Sequence, residues 1–250
     1  MTHLYIITGA SRGMGLAMAQ QLLSPSHRLL CMSRHVSAGL TDEAFQAGAD
    51  LTQWSADLVD AAPLTDRLGQ WLAAQSAPGI ASATLINNAG VIAGIVPLRA
   101  ADPLELTRSL RVGLEAPMLL TAAFLAATQA WTATRKVLNI SSGLGRRPMA
   151  SQSAYCAAKA GLDHFTRCLA QDEVRQANGA RVCALAPGVV DTDMQVQLRN
   201  AAPAGFPDQA SFAQLKQTGQ LTSPQDAAAR VLAYLHRADF GSQPVADVRS

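Results

Sequence analysis

The sequence predicts an α/β protein built on one doubly wound parallel sheet of seven strands, with helices on both faces. Two observations lead to this fold class. Short apolar runs alternate with longer, alanine-rich segments of helical periodicity, and a glycine-rich turn directly follows the first apolar run. Composition does not change abruptly anywhere along the 250 residues, so a single domain covering residues 1–250 is expected.

The strands are predicted where short apolar runs end in turn residues. They cover residues 4–8, 28–32, 52–56, 83–87, 136–141, 181–186 and 244–248. Helices are predicted over residues 14–23, 63–74, 103–110 continuing through 117–129, 154–176 and 224–237. Residues 191–221 are rich in Gln, Ala and Pro and interrupt the alternation, so they are expected to form a substrate lid.

Charge and composition exclude several classes of protein. The net charge of +2 is too small to indicate nucleic acid or an anionic membrane as a partner. No basic segment precedes a long apolar core at the N-terminus, and the most apolar stretch, residues 117–131, is too short to span a bilayer. The four cysteines form no CxxC pair and no metal-ligand spacing with the five histidines. Reduced thiols, a cytoplasmic location and no metal site are therefore expected.

The first motif with chemical meaning is TGASRGMG at residues 8–15, between a predicted strand and a predicted helix. Glycines there let the backbone approach a pyrophosphate, and the helix N-terminus offers unpaired N–H groups to the negative charge. Part of the motif, GASRG, also matches the G-x-S-x-G elbow of serine hydrolases, with Ser11 as nucleophile. Few residues precede it and no oxyanion-hole segment is evident, so the hydrolase is a remote alternative.

The end of the second predicted strand indicates which dinucleotide is bound. It reads CMSRH at residues 31–35 and contains no carboxylate. An acidic residue at this point binds the ribose 2′-hydroxyl of NAD, whereas a basic residue suits the 2′-phosphate of NADP. Ser33 and Arg34, together with Arg12 from the glycine-rich turn, therefore predict NADP(H) as the cofactor.

A candidate acid/base pair stands at the start of the longest predicted helix. Tyr155 and Lys159 are four residues apart and share one helix face, where an ammonium stabilises a phenolate and brings its proton transfer closer to neutral pH. Thirteen residues before Tyr155, Ser142 follows a predicted strand, and its hydroxyl is placed to hydrogen-bond a carbonyl oxygen. Either Ser141 or a simple strand-end cap is the alternative for the serine.

These motifs, with NNAG at 87–90 and PGVVDT at 187–192, resemble in order and spacing the short-chain dehydrogenase/reductase family over essentially the whole chain. The resemblance implies a Rossmann fold, Tyr155 as general acid/base, Lys159 on the nicotinamide ribose, and a small-molecule substrate. It further implies a homodimer or homotetramer paired through the helices near 119–130 and 160–169. The remaining implied cofactor contacts are Gly9, Ser11, Arg12 and Gly15 at the phosphates, Asp57 and Leu58 at adenine, Asn88 along the cofactor, and Val190 and Thr192 at the carboxamide.

Within the family, the C-terminal third resembles the sepiapterin reductase and bacterial benzil reductase branch. That resemblance rests on DTDMQ at 191–195, FAQLK at 212–216 and VAD at 245–247. It implies reduction of diketones or similar activated carbonyls, with Met194 and Asp247 near the substrate. Phe206 and Phe212 either line the lid or fasten it to the core.

One position departs from the family pattern. The family usually carries an asparagine in the helix before the serine strand, and this chain has Gly113 there. The sequence therefore predicts an NADPH-dependent carbonyl reductase with Ser142, Tyr155 and Lys159 as catalytic residues. The alternative is a catalytically impaired NADP(H)-binding module.

Overall fold

The computed structural model describes residues 1–249, which form a seven-stranded parallel sheet with helices on both faces and so confirm the predicted fold class. The strands are β1 (Thr2–Thr8), β2 (His27–Ser33), β3 (Asp50–Ser55), β4 (Ile80–Asn87), β5 (Thr134–Ile140), β6 (Arg181–Ala186) and β7 (Val245–Asp247). The α-helices are α1 (Gly13–Gln21), α2 (Ala38–Ala47), α3 (Ala62–Ala73), α4 (Pro103–Leu110), α5 (Ala116–Ala127), α6 (Ser153–Glu173), α7 (Asp193–Arg199), α8 (Gln209–Gln217) and α9 (Pro224–His236).

The order of the strands creates a crevice at the carboxyl ends of the two central strands, β1 and β4. It is β3-β2-β1-β4-β5-β6-β7, with every neighbouring pair parallel. The chain winds outward from β1 to β3 and then returns to β4 on the other side of β1. The connection that follows β1 therefore runs toward β2, and the connection that follows β4 runs the opposite way toward β5. This divergence opens a ligand crevice at the carboxyl ends of β1 and β4.

Both faces of the sheet are buried, which explains why its strands are apolar throughout rather than alternating. Adjacent residues of β1 point to opposite faces, so Ile7 joins the core beneath α1 and α9, whereas Ile6 joins the core beneath α3 and α5. Met18 of α1 and Phe124 of α5 are fully buried against these two faces. Because helices cover both faces of the sheet, few of its residues are exposed, which explains why charged residues make up only 15% of the sequence.

The longest apolar helical run lies over the sheet rather than apart from it. Residues Pro103–Ala127 are long and apolar enough to cross a membrane, with a mean hydropathy of 1.5 over the most apolar window. Val112, Ala116, Leu120 and Phe124, spaced four residues apart, all belong to the core beneath α5. The run is therefore a core helix of this domain, interrupted by a π-helical turn at Arg111–Glu115 that the sequence did not predict.

Three of the helices in residues 1–249, α2, α7 and α8, are not predicted from the sequence. Helix α2 occupies a connection that carries no helical pattern of apolar residues, and it buries only Leu40 and Ala44. Helices α7 and α8 lie inside the predicted lid, residues 191–221, where α7 buries only Gln195 and Leu198 and α8 buries none of its residues. Each of these helices contributes little to the core, so its sequence lacks the periodicity that reveals a helix.

Candidate functional site

The glycine-rich turn closes tightly between β1 and α1. Gly9 has a φ of +71°, a left-handed conformation that side chains rarely adopt. A Cβ atom on Gly15 would lie 2.2 Å from the Gly9 carbonyl oxygen, so only glycine fits there. The first turn of α1 thus approaches the end of β1 closely and forms a cradle with free backbone N–H groups, which suits a pyrophosphate.

A hydrogen-bonded junction joins the ends of β1 and β4 at the crevice. The buried Thr8 hydroxyl accepts from the backbone N–H groups of Asn88, at 3.0 Å, and Ala89, at 3.1 Å. The Asn88 amide donates in return to the Thr8 carbonyl oxygen at 2.9 Å. These bonds hold Asn88 beside the glycine cradle.

The end of β2 presents a basic side chain and no carboxylate. Arg34 is exposed, and it makes no ion pair within residues 1–249. The Ser33 hydroxyl donates to the His35 carbonyl oxygen at 2.8 Å, which fixes the turn after the strand. Across the crevice, Asp57 accepts from the backbone of its own turn and lies 3.8 Å from Arg108.

Arg12, predicted at the cofactor phosphates, is engaged elsewhere in this structure. Its guanidinium pairs with the Asp193 carboxylate at 2.5 Å, and both side chains are about two-thirds exposed. The ion pair links the glycine-rich turn to the first turn of α7. A phosphate bound at the glycine-rich turn would therefore have to compete with Asp193 for this guanidinium.

Ser142, Tyr155 and Lys159 meet at the carboxyl end of β5. The Ser142 hydroxyl accepts from the Leu144 backbone N–H at 3.1 Å, and it is close enough to the Tyr155 phenol to influence the pKa of that group. Lys159 lies one helical turn after Tyr155 and is buried. Its ammonium donates to the Ile140 carbonyl oxygen at 2.7 Å and lies 5.7 Å from the centre of the Tyr155 ring.

Burial dominates the electrostatics of this group. It lowers the pKa of Lys159 to about 8, against an opposing effect of the nearby Asp163 carboxylate. It raises the pKa of the Tyr155 phenol, and the nearby Ser142 hydroxyl only partly opposes this rise. The sequence predicts a pKa brought down by Lys159, so the direction is corrected here. A phenol that keeps its proton at neutral pH suits a general acid.

One cavity of about 640 Å³ connects the glycine cradle, the end of β2 and the serine–tyrosine group. Its size is typical of cofactor and ligand pockets. Every residue predicted to contact the cofactor lines it, as do Ser142 and Met194. The predicted cofactor residues in this lining are Gly9, Ser11, Arg12, Gly15, Ser33, Arg34, Asp57, Leu58, Asn88, Tyr155, Lys159, Val190 and Thr192.

The predicted lid leaves and rejoins the body at one point. The Thr222 backbone donates to Val189 and accepts from Asp191, each at 2.9 Å, which closes the base of residues 191–221. Inside the segment, Asp191 pairs with Lys216 of α8 at 2.5 Å. The two ends of the segment are thereby fastened together.

The aromatic residues of this segment have different roles. Phe212 lines the cavity with Met194, whereas Phe206 is fully buried and stacks on Phe212 with ring centres 5.6 Å apart. Phe206 therefore packs inside the segment, whereas Phe212 faces the cavity.

Asp247, predicted near the substrate, lies outside the cavity. It is absent from the described residues that line it, and its carboxylate binds the Arg249 guanidinium at 2.7 Å and 2.8 Å. Arg249 itself lines the cavity rim. The structure thus places a paired arginine where the sequence predicts a carboxylate.

Gly113 is explained by packing. It lies in the π-helical turn against α6, where a Cβ atom on Gly113 would be 3.0 Å from the Ala158 Cβ atom. Ala158 precedes Lys159, so the glycine permits close approach of the helix that carries the acid/base pair. An asparagine at position 113 requires the two helices to separate by a few tenths of an ångström.

Comparisons with known proteins agree with this geometry. The family described as short chain dehydrogenase matches residues 3–203. Benzil reductase ((S)-benzoin forming) of Bacillus cereus is 37% identical over 94% of both chains, and sepiapterin reductase of Meriones unguiculatus is 32% identical over 95% of this chain and 92% of that one. A solved metagenomic short-chain oxidoreductase in complex with NADP is 27% identical, with a TM-score of 0.73 over 98% of this chain and 94% of that one. The chain belongs to the short-chain dehydrogenase/reductase family of oxidoreductases.

Proposed function

We propose that the protein is an NADPH-dependent reductase of ketones and diketones. The observation that carries the proposal is the convergence of Ser142, Tyr155 and Lys159 at one end of a cavity whose other end is bordered by Arg34. The glycine cradle lies between them, so the lining accommodates an extended dinucleotide with its nicotinamide beside Tyr155.

In this reaction the reduced nicotinamide, when bound, supplies hydride to the carbonyl carbon. The Ser142 hydroxyl and the Tyr155 phenol hydrogen-bond the carbonyl oxygen and stabilise the negative charge that develops there. Tyr155 then transfers its proton to that oxygen, so one hydride and one proton complete the alcohol. The Lys159 ammonium stabilises the phenolate that remains.

Preference for NADPH over NADH rests on the end of β2. Arg34 is exposed beside the cavity, and the strand ends without a carboxylate that would repel a 2′-phosphate. The metagenomic relative solved with NADP supports the same cofactor.

The class of substrate is inferred from the relatives and from the lining. Leu144, Met149, Met194 and Phe212 give the cavity an apolar side near Tyr155. Such a surface suits the aryl or alkyl groups of a diketone, in keeping with the benzil reductase of B. cereus. We propose that residues 191–221 form a lid over this side.

Two alternatives have distinct signatures. A cofactor-binding module without catalysis is motivated by Gly113, yet the close packing of that glycine against Ala158 gives it a structural role that is independent of catalysis. A serine hydrolase using Ser11 lacks a general base, because no histidine occurs among the described residues that line the cavity.

Assembly and location complete the proposal. We propose that the helices near residues 119–130 and 160–169 pair subunits in a homodimer or homotetramer, and the exposed apolar side chain of Met118 at the start of α5 supports this. The four cysteines are free thiols, which is consistent with a cytoplasmic enzyme. A monomeric sedimentation coefficient would refute the assembly.

The experiment that tests the activity follows NADPH oxidation at its near-ultraviolet band with benzil as substrate. We expect turnover by the wild-type protein, little by Tyr155→Phe, and a lower kcat/KM with NADH. Turnover no greater than that of Tyr155→Phe overturns the reductase. NADPH binding without turnover across a panel of carbonyl compounds favours the binding module.

A further inference from the structure

A buried carboxylate lies behind the serine–tyrosine group and takes no part in the chemistry described above. Asp163 follows Lys159 by one helical turn and Tyr155 by two, so the three side chains share one face of α6. Its exposed fraction is 1%. Burying a charge is costly unless other groups compensate it, so the contacts of Asp163 indicate what it holds.

Those contacts come from the loop that carries Ser142. The buried Ser141 hydroxyl donates a short hydrogen bond to Asp163 Oδ1, and Arg146 Nε lies 3.6 Å from Oδ2. Within the described residues Oδ2 accepts no hydrogen bond, so Arg146 acts on it as a charge. Residues on both sides of Ser142 are thereby attached to one carboxylate; we call residues 141–147 the serine loop.

The backbone of the serine loop also fits closely against the same helix. A Cβ atom on Gly145 would lie 2.9 Å from the Lys159 carbonyl oxygen and 3.1 Å from Asp163 Oδ2. The Arg146 guanidinium additionally donates to the Ala246 carbonyl oxygen of β7 at 3.1 Å. A shift of Asp163 would therefore be transmitted to the loop, to α6 and to the last strand.

We propose that Asp163 is a positioning residue of this reductase, which clamps the serine loop to α6 and so fixes Ser142 relative to Tyr155. The proposal rests on the reductase function proposed above. Ser142 contacts the carbonyl oxygen, whereas Asp163 acts through Ser141 and Arg146. A misplacement of about 1 Å at such a site costs about a hundredfold in rate.

The clamp also has an electrostatic consequence for Lys159. Burial raises the pKa of Asp163, and Ser141, Arg146, Arg167 and Lys159 oppose that rise. Cys183 of β6 also faces the carboxylate, and burial together with Asp163 keeps this thiol protonated. In return, the Asp163 charge raises the pKa of Lys159, so removal of the charge lowers that pKa further.

The test compares Asp163→Asn, Asp163→Leu and the control Asp172→Asn, in which an exposed carboxylate of the same helix is lost. We expect Asp163→Leu to lower kcat for benzil about a hundredfold. Asp163→Asn retains an acceptor for Ser141, so we expect a smaller loss of kcat. We also expect its alkaline limb to move to lower pH, because the charge that raises the pKa of Lys159 is lost. We expect the control Asp172→Asn to keep the kcat, the KM and the pH profile of the wild type.

A second measurement keeps the clamp testable if benzil is not turned over. Amide hydrogen exchange of the serine loop should accelerate in Asp163→Leu and remain unchanged in Asp172→Asn, whatever the activity. If Asp163→Leu does not fold, the pH profile and the loop exchange of Asp163→Asn decide the question. Wild-type exchange of the serine loop in a folded Asp163→Leu overturns the proposal, as does an unshifted alkaline limb together with wild-type exchange in Asp163→Asn.

Discussion

The Lys159 ammonium donates a 2.7 Å hydrogen bond to the Ile140 carbonyl oxygen, which joins the helix of the acid/base pair to the last residue of β5. Ser142 follows that residue by two positions. The same bond thus ties the strand that leads to Ser142 to the helix of Tyr155, and it holds a buried positive charge at the wall of the cavity.

Activity should fall on the alkaline side because Lys159 loses its proton there. Burial lowers the pKa of Lys159 to about 8, so we expect kcat/KM for reduction to decline as the pH rises through that value. In Lys159→Arg the guanidinium stays charged, so a slower enzyme with its alkaline limb at higher pH is expected. Lys216→Arg, an exposed control, should retain the wild-type limb. An identical limb in Lys159→Arg contradicts the assignment.

Arg34 should determine the choice of cofactor. Arg34→Asp places a carboxylate where the 2′-phosphate is expected and gives the ribose hydroxyl a partner. We expect the ratio of kcat/KM for NADPH to that for NADH to fall by about a hundredfold, since one charge-assisted pair is lost and a repulsion is added. Arg99→Asp, the same change at an exposed site away from the cavity, is the control. An equal effect of both variants would mean that net charge alone matters.

The Arg12–Asp193 ion pair should weaken NADPH binding slightly. Both side chains are about two-thirds exposed, so the pair contributes no more than about 1 kcal/mol. In Asp193→Asn the guanidinium is released, and we expect the Kd for NADPH to fall by up to about fivefold in a fluorescence titration at low salt. Asp42→Asn, an exposed control, should not alter the Kd. A larger Kd for NADPH in Asp193→Asn would contradict this and would show that Asp193 supports cofactor binding.

Gly113 and Gly69 should respond in opposite ways to alanine. A Cβ atom on Gly113 meets Ala158 at 3.0 Å, whereas one on Gly69 of α3 meets nothing within 4 Å. We expect Gly113→Ala to lower the free energy of unfolding by about 1–3 kcal/mol and Gly69→Ala to raise it by up to about 1 kcal/mol. Urea denaturation measures both. Adding Ala158→Gly to Gly113→Ala should restore part of the loss, and no restoration would refute the packing explanation.

Much of the fold is readable from the sequence because the sheet is buried on both faces. Its strands are short apolar runs, and five of the nine α-helices in residues 1–249 bury an apolar stripe or a uniformly apolar segment, namely α1, α3, α5, α6 and α9. Helix α2 is not predicted because it buries only Leu40 and Ala44, which are too few to form an apolar stripe of helical spacing. Its largest apolar residue, Phe45, is 87% exposed. Its end signals were present, since Ser37 caps its first turn and Gly48, with a φ of +64°, ends it. Ser37 and Gly48 are therefore the two residues in the sequence that indicate the start and the end of this helix.

The candidate site divides in the same way. The sequence by itself determined the glycine cradle and the pairing of Tyr155 with Lys159, because each depends on residues within about two helical turns or on a strand end. It also determined the family, through the order of several such local motifs along the chain. Only the tertiary structure decided that Arg12 pairs with Asp193. It also decided that Asp163 holds Ser141 and that Gly113 packs on Ala158. Each such contact joins segments that are distant in sequence, so its existence depends on how the helices pack against the sheet rather than on any local pattern.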